Sequence, residues 1–398
     1  MIFNKKLNKL GTETAFAVSS ESKLWEEKGN KIYPFHLGDI NMQTPKIIRD
    51  ATNRYMNDNK NGYCASEGIT ELRQALAYDV GLKRNVLYDM DNVVIQPGGK
   101  PTIWKFLATV MNKGDEVLYP NPGYPIYESQ IRYQGGIPIP YGFNETKSGF
   151  EINLEMLSRC ITKNTTVLIY NNYQNPLSAS SSASEMQALA ELAINNDLWV
   201  LSDDAYYEIR YTNDKARSIV SIPGLRERTV ILYTFSKRFA MTGWRIGASI
   251  GPKKLIKQIA RFNINDESCT NHFIQHALAD IIKNENTGAE KILDTLRKRR
   301  DICVDGLNNI DGINLPMPDS TFYLFPNVTK VMQNKGYSDL DQFRIDAMKA
   351  TGVSFCTRHH FGTVYNNEKD HYIRLAYSGI NEEDISEGLK RFKDWIEN

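Results

Sequence analysis

Residues 230–251 read Val230-Ile-Leu-Tyr-Thr-Phe-Ser-Lys237-Arg-Phe-Ala-Met-Thr-Gly-Trp-Arg245-Ile-Gly-Ala-Ser-Ile-Gly251, and the fold is read outward from this stretch. The apolar, β-branched run from Val230 to Leu232 has the texture of a buried strand. It ends in the hydroxyls of Thr234 and Ser236, and Lys237 follows at once. Arg245 comes eight positions later, between Gly243 and Gly247, and a second short apolar run closes the unit. A single lysine after a buried strand, with hydroxyls before it and an arginine beyond, suits a carbonyl cofactor that carries a phosphate. The expectation is that Lys237 carries pyridoxal 5′-phosphate as a Schiff base.

Toward the N-terminus the same pattern repeats. Val93 to Ile95 is a buried-type strand, Pro97-Gly-Gly-Lys100 a tight turn, and Thr102 to Val110 a helix. Strand, glycine turn and helix together aim backbone N–H groups and the positive helix end at an anion. The turn is neither G-x-G-x-x-G nor a Walker A sequence, so it implies neither a dinucleotide nor a nucleoside triphosphate. Glu116 to Tyr119 leads into Pro120-Asn-Pro-Gly-Tyr124-Pro-Ile-Tyr127, where two prolines stiffen the chain around Tyr124. Such a tyrosine can cover an aromatic ring or simply pack its own loop.

Thr166 to Tyr170 is another β-branched run, ending in Asn171-Asn-Tyr-Gln-Asn175-Pro176. Ser182 and Glu185 have capping-box spacing ahead of a helix over Met186 to Ala193. Leu198 to Leu201 is the next strand, with Asp203, Asp204 and Tyr206 just beyond it. Two carboxylates there cost desolvation energy unless they have partners, which makes them the most suspicious acidic pair in the chain. Strands alternating with helices from about residue 90 to 250 argue for a largely parallel sheet with helices on both faces. Gly98/Gly99, Tyr124, Asn175, Asp203/Tyr206 and Lys237 then all fall at carboxyl ends of strands, where open α/β sheets bind ligands.

The flanks are less telling. A helical pattern runs from about Phe16 to Lys28, with Phe16, Leu24 and Trp25 on one side. His36 to Ile40 reads as a short extended piece, and its Gly38 fits both a plain turn and a close approach to a ligand. Tyr63 lies in an irregular, glycine-flanked stretch. Helices follow residue 252, and from Gly312 short strands and helices alternate as a second α+β unit. Arg374 sits inside Tyr-Ile-Arg-Leu-Ala, which fits the solvent face of an edge strand or a site for a carboxylate. His359, His360 and His371 share no register with an acidic or cysteine ligand, so no metal is expected.

Composition excludes several classes. With 48 basic and 47 acidic residues the chain has no electrostatic case for nucleic acid or an anionic membrane. Five scattered cysteines fit neither a disulfide framework nor a CxxC metal site, and a reducing compartment is the simpler inference. No run approaches a membrane span and no h-region follows the N-terminal lysines, so a cytoplasmic protein is expected. No G-x-S-x-G elbow supports a serine hydrolase.

With these residues in place, the sequence resembles the class I/II aminotransferases of the fold-type I pyridoxal-phosphate family, nearest the subgroup of bacterial aspartate, alanine and aromatic aminotransferases. Ser-Lys-x-x-x-x-Thr-Gly-Trp-Arg-x-Gly at 236–247 is the specific signature, and the resemblance covers nearly the whole chain. It implies an α/β fold: a large cofactor-binding domain (46–288) with a mostly parallel central sheet flanked by helices. A smaller α+β domain (289–398), joined by part of an N-terminal arm (1–45), would close over the substrate. It also implies a homodimer with shared active sites.

The resemblance further implies that Lys237 moves the proton from the substrate Cα, that Asp203 pairs with the pyridine nitrogen, and that Asn175 and Tyr206 hydrogen-bond the phenolic oxygen. Tyr124 would stack on the ring. The phosphate would be held by the backbone at Gly99 and Lys100, by Thr234, Ser236 and Arg245, and by Tyr63 of a neighbouring subunit. Arg374 would take the substrate carboxylate, helped by Asn175 and the backbone near Gly38. Asp204 is expected to be structural.

Two departures stand out. Asn175-Pro176-Leu177-Ser178 replaces the family's Asn-Pro-Thr-Gly, and Pro101 follows Lys100. Ala15 and Phe16 stand where a threonine often assists recognition of dicarboxylates, favouring an uncharged or aromatic amino acid, while Lys105, Arg358 and His360 are candidates for the opposite view. The expected activity is transfer of an amino group from an L-amino acid to a 2-oxo acid by a ping-pong cycle. The alternatives are a β-lyase or related elimination enzyme on the same scaffold, and a non-catalytic effector-binding module, for which no basic helix-turn-helix precedes residue 40.

Overall fold

The computed structural model describes residues 3–11, 15–284, 286–365 and 368–398. Its centre is a seven-stranded sheet in the order Val93–Gln96, Gly247–Ile250, Thr229–Thr234, Trp199–Asp203, Thr165–Tyr170, Glu116–Pro120, Ile137–Tyr141. Neighbouring strands are parallel except at Gly247–Ile250, which runs antiparallel to both its neighbours. Both faces are apolar because alternate residues of each strand enter different cores. Val230 and Leu232 join Ile103, Phe106 and Leu107 of the helix Lys100–Val110 and Leu255, Ile256 and Ile259 of Lys253–Asn265. Ile231 and Tyr233 instead join Leu72 and Leu76 of Thr70–Arg84 and Ile274 and Leu278 of His272–Ile282.

The antiparallel strand explains the spacing of the opening stretch. Gly247 pairs with Thr234 on one side and Gln96 on the other. The start of this strand therefore lies beside the carboxyl ends of its neighbours, and Arg245 returns to the edge that Lys237 left. Gly247 is required there: an added Cβ would meet the Tyr233 carbonyl oxygen at 2.6 Å and Gly98 at 2.8 Å.

A separate core gathers Leu296 and Leu307 of the helix Ala289–Asn308, Phe343 of Leu340–Thr351 and Phe392 of Glu382–Glu397. Tyr33 and Phe35 belong to it, because Tyr33–Pro34 pairs in parallel with Val353–Ser354. A three-stranded sheet in the order Tyr323–Leu324, Ile373–Ala376, Cys356–Thr357 completes this part. Arg374 thus stands in a central strand, 4% exposed, and the edge-strand reading is corrected.

Two local readings also change. The helix Ala15–Glu26 buries Val18 and Ser22, whereas Phe16 and Leu24 are exposed. Ser22 Oγ lies 2.6 Å from Ser354 Oγ, and Val18 packs with Leu177, Phe325 and Phe361, so a small i,i+4 face is the one that docks. Before the helix Ala183–Asn195, Ser182 Oγ accepts from the Glu185 N–H at 3.1 Å, but the Glu185 carboxylate accepts from the Ile152 N–H, leaving half a capping box.

Candidate active site

A cavity of about 520 Å³ opens at the carboxyl edge of the large sheet. Gly38, Gly99, Lys100, Tyr124, Asn175, Asp203, Tyr206, Thr234, Ser236, Lys237, Arg245 and Arg374 all line it. Tyr63 does not; it is 88% exposed on the outer surface.

Lys237 follows the strand Thr229–Thr234 and donates from Nζ to the Gly38 carbonyl at 2.8 Å. Gly38 is tightly enclosed on its other side, since a Cβ there would meet the Tyr323 hydroxyl at 2.2 Å. Asp203 ends the strand Trp199–Asp203; its carboxylate accepts from the Tyr127 hydroxyl at 2.5 Å and the Ala205 N–H at 3.1 Å. Burial pushes its carboxyl up to about 6, the Tyr127 and Ala205 bonds pull it down, and the Asp204 charge pushes it up. Asp204 points elsewhere: Arg84 donates to its Oδ2 from Nε and Nη2 at 2.9 and 2.7 Å.

The Tyr206 hydroxyl lies 2.7 Å from that of Tyr323, and burial holds the Tyr206 phenol well above its ordinary range. Arg374 donates to Asn175 Oδ1 at 3.3 Å, the His36 carbonyl at 2.5 Å and Cys356 Sγ at 3.8 Å. Its guanidinium sits 4.6 Å from the Tyr323 ring centre and 4.8 Å from that of Phe361. These partners are uncharged, and its Nε is buried with no hydrogen-bond partner. Such a cation is set for a carboxylate. The buried His36 ring beside it is pushed down to about 4, by burial first and then by Arg374 and Arg344.

At the other end of the cavity, Gly99 caps the helix Lys100–Val110, and Pro101 falls in its first turn, where a missing N–H costs nothing. Gly98 has φ +98°, and a Cβ there would lie 2.1 Å from Arg245 Nη2. Arg245 donates to the carbonyls of Thr242 at 2.7 Å and Pro97 at 3.3 Å. Thr234 Oγ1 donates to Ser236 Oγ at 2.9 Å. A helix N-terminus, two hydroxyls and a guanidinium form an anion cradle.

Of the distal-carboxylate candidates, only His360 lines the cavity. Lys105 is fully buried elsewhere, 2.6 Å from Glu267, and Arg358 is 2.7 Å from Glu368. Tyr127, Tyr323, Asn171 and His36 escaped the sequence reading. Asn171 donates to the Asp203 carbonyl at 2.8 Å and accepts from the Asn175 N–H at 3.1 Å, bracing two strand ends. Its only signal was its place directly after a strand. Among the described residues no group of three or more His, Cys, Asp or Glu is arranged to hold a metal, and no helix is long and apolar enough to cross a membrane.

Residues 32–392 match the profile of the aminotransferase class I and II family, and the chain belongs to that family. It is 28% identical over 396 residues to a probable aspartate/prephenate aminotransferase of Aquifex aeolicus, covering 98% of each chain. It is 30% identical over 392 residues to an aspartate aminotransferase of Sulfolobus acidocaldarius, covering 96% of each. Its fold matches that of Thermus thermophilus aspartate aminotransferase with maleate at a TM-score of 0.89, with 24% identity and 99% of each chain covered. The protein is a fold-type I aminotransferase that uses pyridoxal 5′-phosphate and moves an amino group between an L-amino acid and a 2-oxo acid. The cavity fits that cofactor: an anion cradle at one end, a buried carboxylate for a ring nitrogen, and a lysine between them.

Proposed function

We propose that Lys237 is the lysine that holds the cofactor carbonyl and that Arg374 selects the substrate by its α-carboxylate. The observation that carries this reading is the convergence of Lys237, Asp203, the Gly99 cradle and Arg374 on one cavity. When bound, pyridoxal phosphate supplies a carbonyl for the amino group and a ring that takes up electron density. Asp203, as a carboxylate, holds a proton on the ring nitrogen. Asn175 and Tyr206 donate to the phenolic oxygen, and Tyr124 covers the ring face. Thr234, Ser236, Arg245 and the N–H groups of Gly99 and Lys100 bind the phosphate.

Arg374, aided by Asn175 and the backbone at Gly38, orients the substrate so that its Cα proton faces Lys237. Lys237 Nζ then moves that proton, a step that uses its neutral amine as the base. The two half-reactions use the same groups, so amino donor and oxo acceptor bind in turn.

Tyr63 reaches the phosphate site of a second subunit in this reading, which makes the working unit a homodimer. Its 88% exposure in the single chain supports that. The division at residues 45/46 and 288/289 is supported by the separate core that Tyr33 and Phe35 share with the C-terminal helices. The five free cysteines support a reducing, cytoplasmic setting. Ala15 and Phe16 at the cavity rim support an uncharged or aromatic donor, whereas the relatives named above act, by name, on aspartate. Comparing kcat/KM for phenylalanine and aspartate against 2-oxoglutarate and pyruvate tests this; a clear preference for aspartate would overturn the aromatic reading.

A further inference from the structure

Outside this chain's own cavity, beside the Gly62–Tyr63 stretch, His272 and His276 stand one turn apart on the helix His272–Ile282. Their Nε2 atoms are 3.1 Å apart, and the rings are 4.9 Å between centres with 39° between planes. His272 Nδ1 lies 3.2 Å from the Gly62 carbonyl oxygen. A carbonyl only accepts, so Nδ1 carries the proton and the Nε2 lone pair turns toward His276. The Tyr55 ring stacks on His276 at 5.1 Å and 25°, which fixes the plane of the second imidazole.

We propose that His272 and His276 form a bidentate site for a divalent late transition metal, Ni(II), Cu(II) or Zn(II), bound through the two Nε2 atoms. Metal–imidazole bonds are about 2.0–2.1 Å, so two nitrogens on one ion stand roughly 2.9 Å apart at a right angle and roughly 3.4 Å apart at a tetrahedral angle. The observed separation falls between these limits. The Nδ1–H to carbonyl bond of His272 is the support a metal-bound histidine usually has, and it is already in place.

The surroundings are mixed in charge. Glu71 and Asp280 favour a cation near His276, Lys60 and the positive end of the helix oppose it, and Arg54 is itself paired with Asp280 at 2.7 Å. No third histidine, cysteine or carboxylate among the described residues of this chain completes the set, so the site is bidentate from this chain. Imidazole ligands favour these metals over magnesium or calcium.

The test is calorimetric titration of untagged holoenzyme with nickel chloride, beside His272→Gln, His276→Gln and, as a control, His371→Gln. The expected result is one ion per chain, at least tenfold weaker in each of the first two variants and unchanged in the third. Retention of the visible cofactor band certifies that the variants are folded. Wild-type affinity in both His272→Gln and His276→Gln, or no uptake by the wild type, would overturn the site and leave the pair as a plain hydrogen bond. Proton NMR of the wild type gives a check without variants: substoichiometric nickel should broaden the His272 and His276 ring signals first, and broadening elsewhere first would count against the site.

Discussion

The hydroxyls of Tyr206 and Tyr323 lie 2.7 Å apart, with the two rings edge to face at 5.5 Å. The contact joins the loop after Trp199–Asp203 to the three-stranded sheet that carries Arg374. It therefore links Tyr206, proposed to contact the cofactor, with the strand Tyr323–Leu324, which pairs with the strand of Arg374, proposed to meet the substrate. Tyr323→Phe should leave the Tyr206 hydroxyl short of one partner in a buried site, at about 1 kcal/mol of stability. Urea unfolding at constant m-value checks this, and kcat/KM should fall because Tyr206 loses its brace.

Arg374 gives the sharpest prediction about substrate. Arg374→Lys keeps the charge but loses the planar fork, and kcat/KM should fall by about a hundredfold, roughly 3 kcal/mol. The visible cofactor band should persist, since Arg374 is not itself among the residues proposed to hold the cofactor. Steady-state kinetics beside an absorbance spectrum separates the two effects.

Asp203 predicts an unusual pH dependence in cofactor-free protein. Its carboxyl lies at about 6 when folded against an ordinary value of 3.8, so between those values the folded state holds more of the proton than the unfolded state. Stability should therefore fall as pH rises through this window, and remain lowered above it, by about 3 kcal/mol from this group. Asp203→Asn removes the contribution, so the cofactor-free variant should be more stable than wild type at pH 8, with the gap closing below pH 4. Denaturant midpoints at the two pH values read it directly.

The sheet was largely legible because each parallel strand is a continuous apolar run bounded by a polar turn. The polar residues after Val93–Gln96, Thr165–Tyr170, Trp199–Asp203 and Thr229–Thr234 could be lined up on that basis. Arg245 was legible as a residue but not as geometry, because nothing in Ile246 to Ile250 announces an antiparallel strand. Tyr127 and Tyr323 were illegible for a different reason. Each is one aromatic among many, and only the three-dimensional path brings its hydroxyl to Asp203 or Tyr206. Phe16 and Leu24 misled because apolar size outweighed Ser22, whose docking depends on Ser354, far away in sequence.

Asp204 tests whether the second aspartate is structural. Arg84 and Asp204 have side chains only 1% and 3% exposed, and the Arg84 guanidinium also lies 3.6 Å from the Tyr207 ring centre. Arg84→Met should cost about 3–5 kcal/mol by leaving a buried carboxylate unpaired. Adding Asp204→Leu should recover much of that. A double variant no more stable than the single one would contradict a structural pair.

The proposed role of Lys237 is tested most directly by borohydride reduction of the holoenzyme followed by peptide mass mapping. The pyridoxyl phosphate mass should appear on the peptide containing Lys237 and be absent after Lys237→Ala, with transamination lost. A label on Lys100 or any other lysine in the wild type, or turnover by Lys237→Ala, would contradict the site described here.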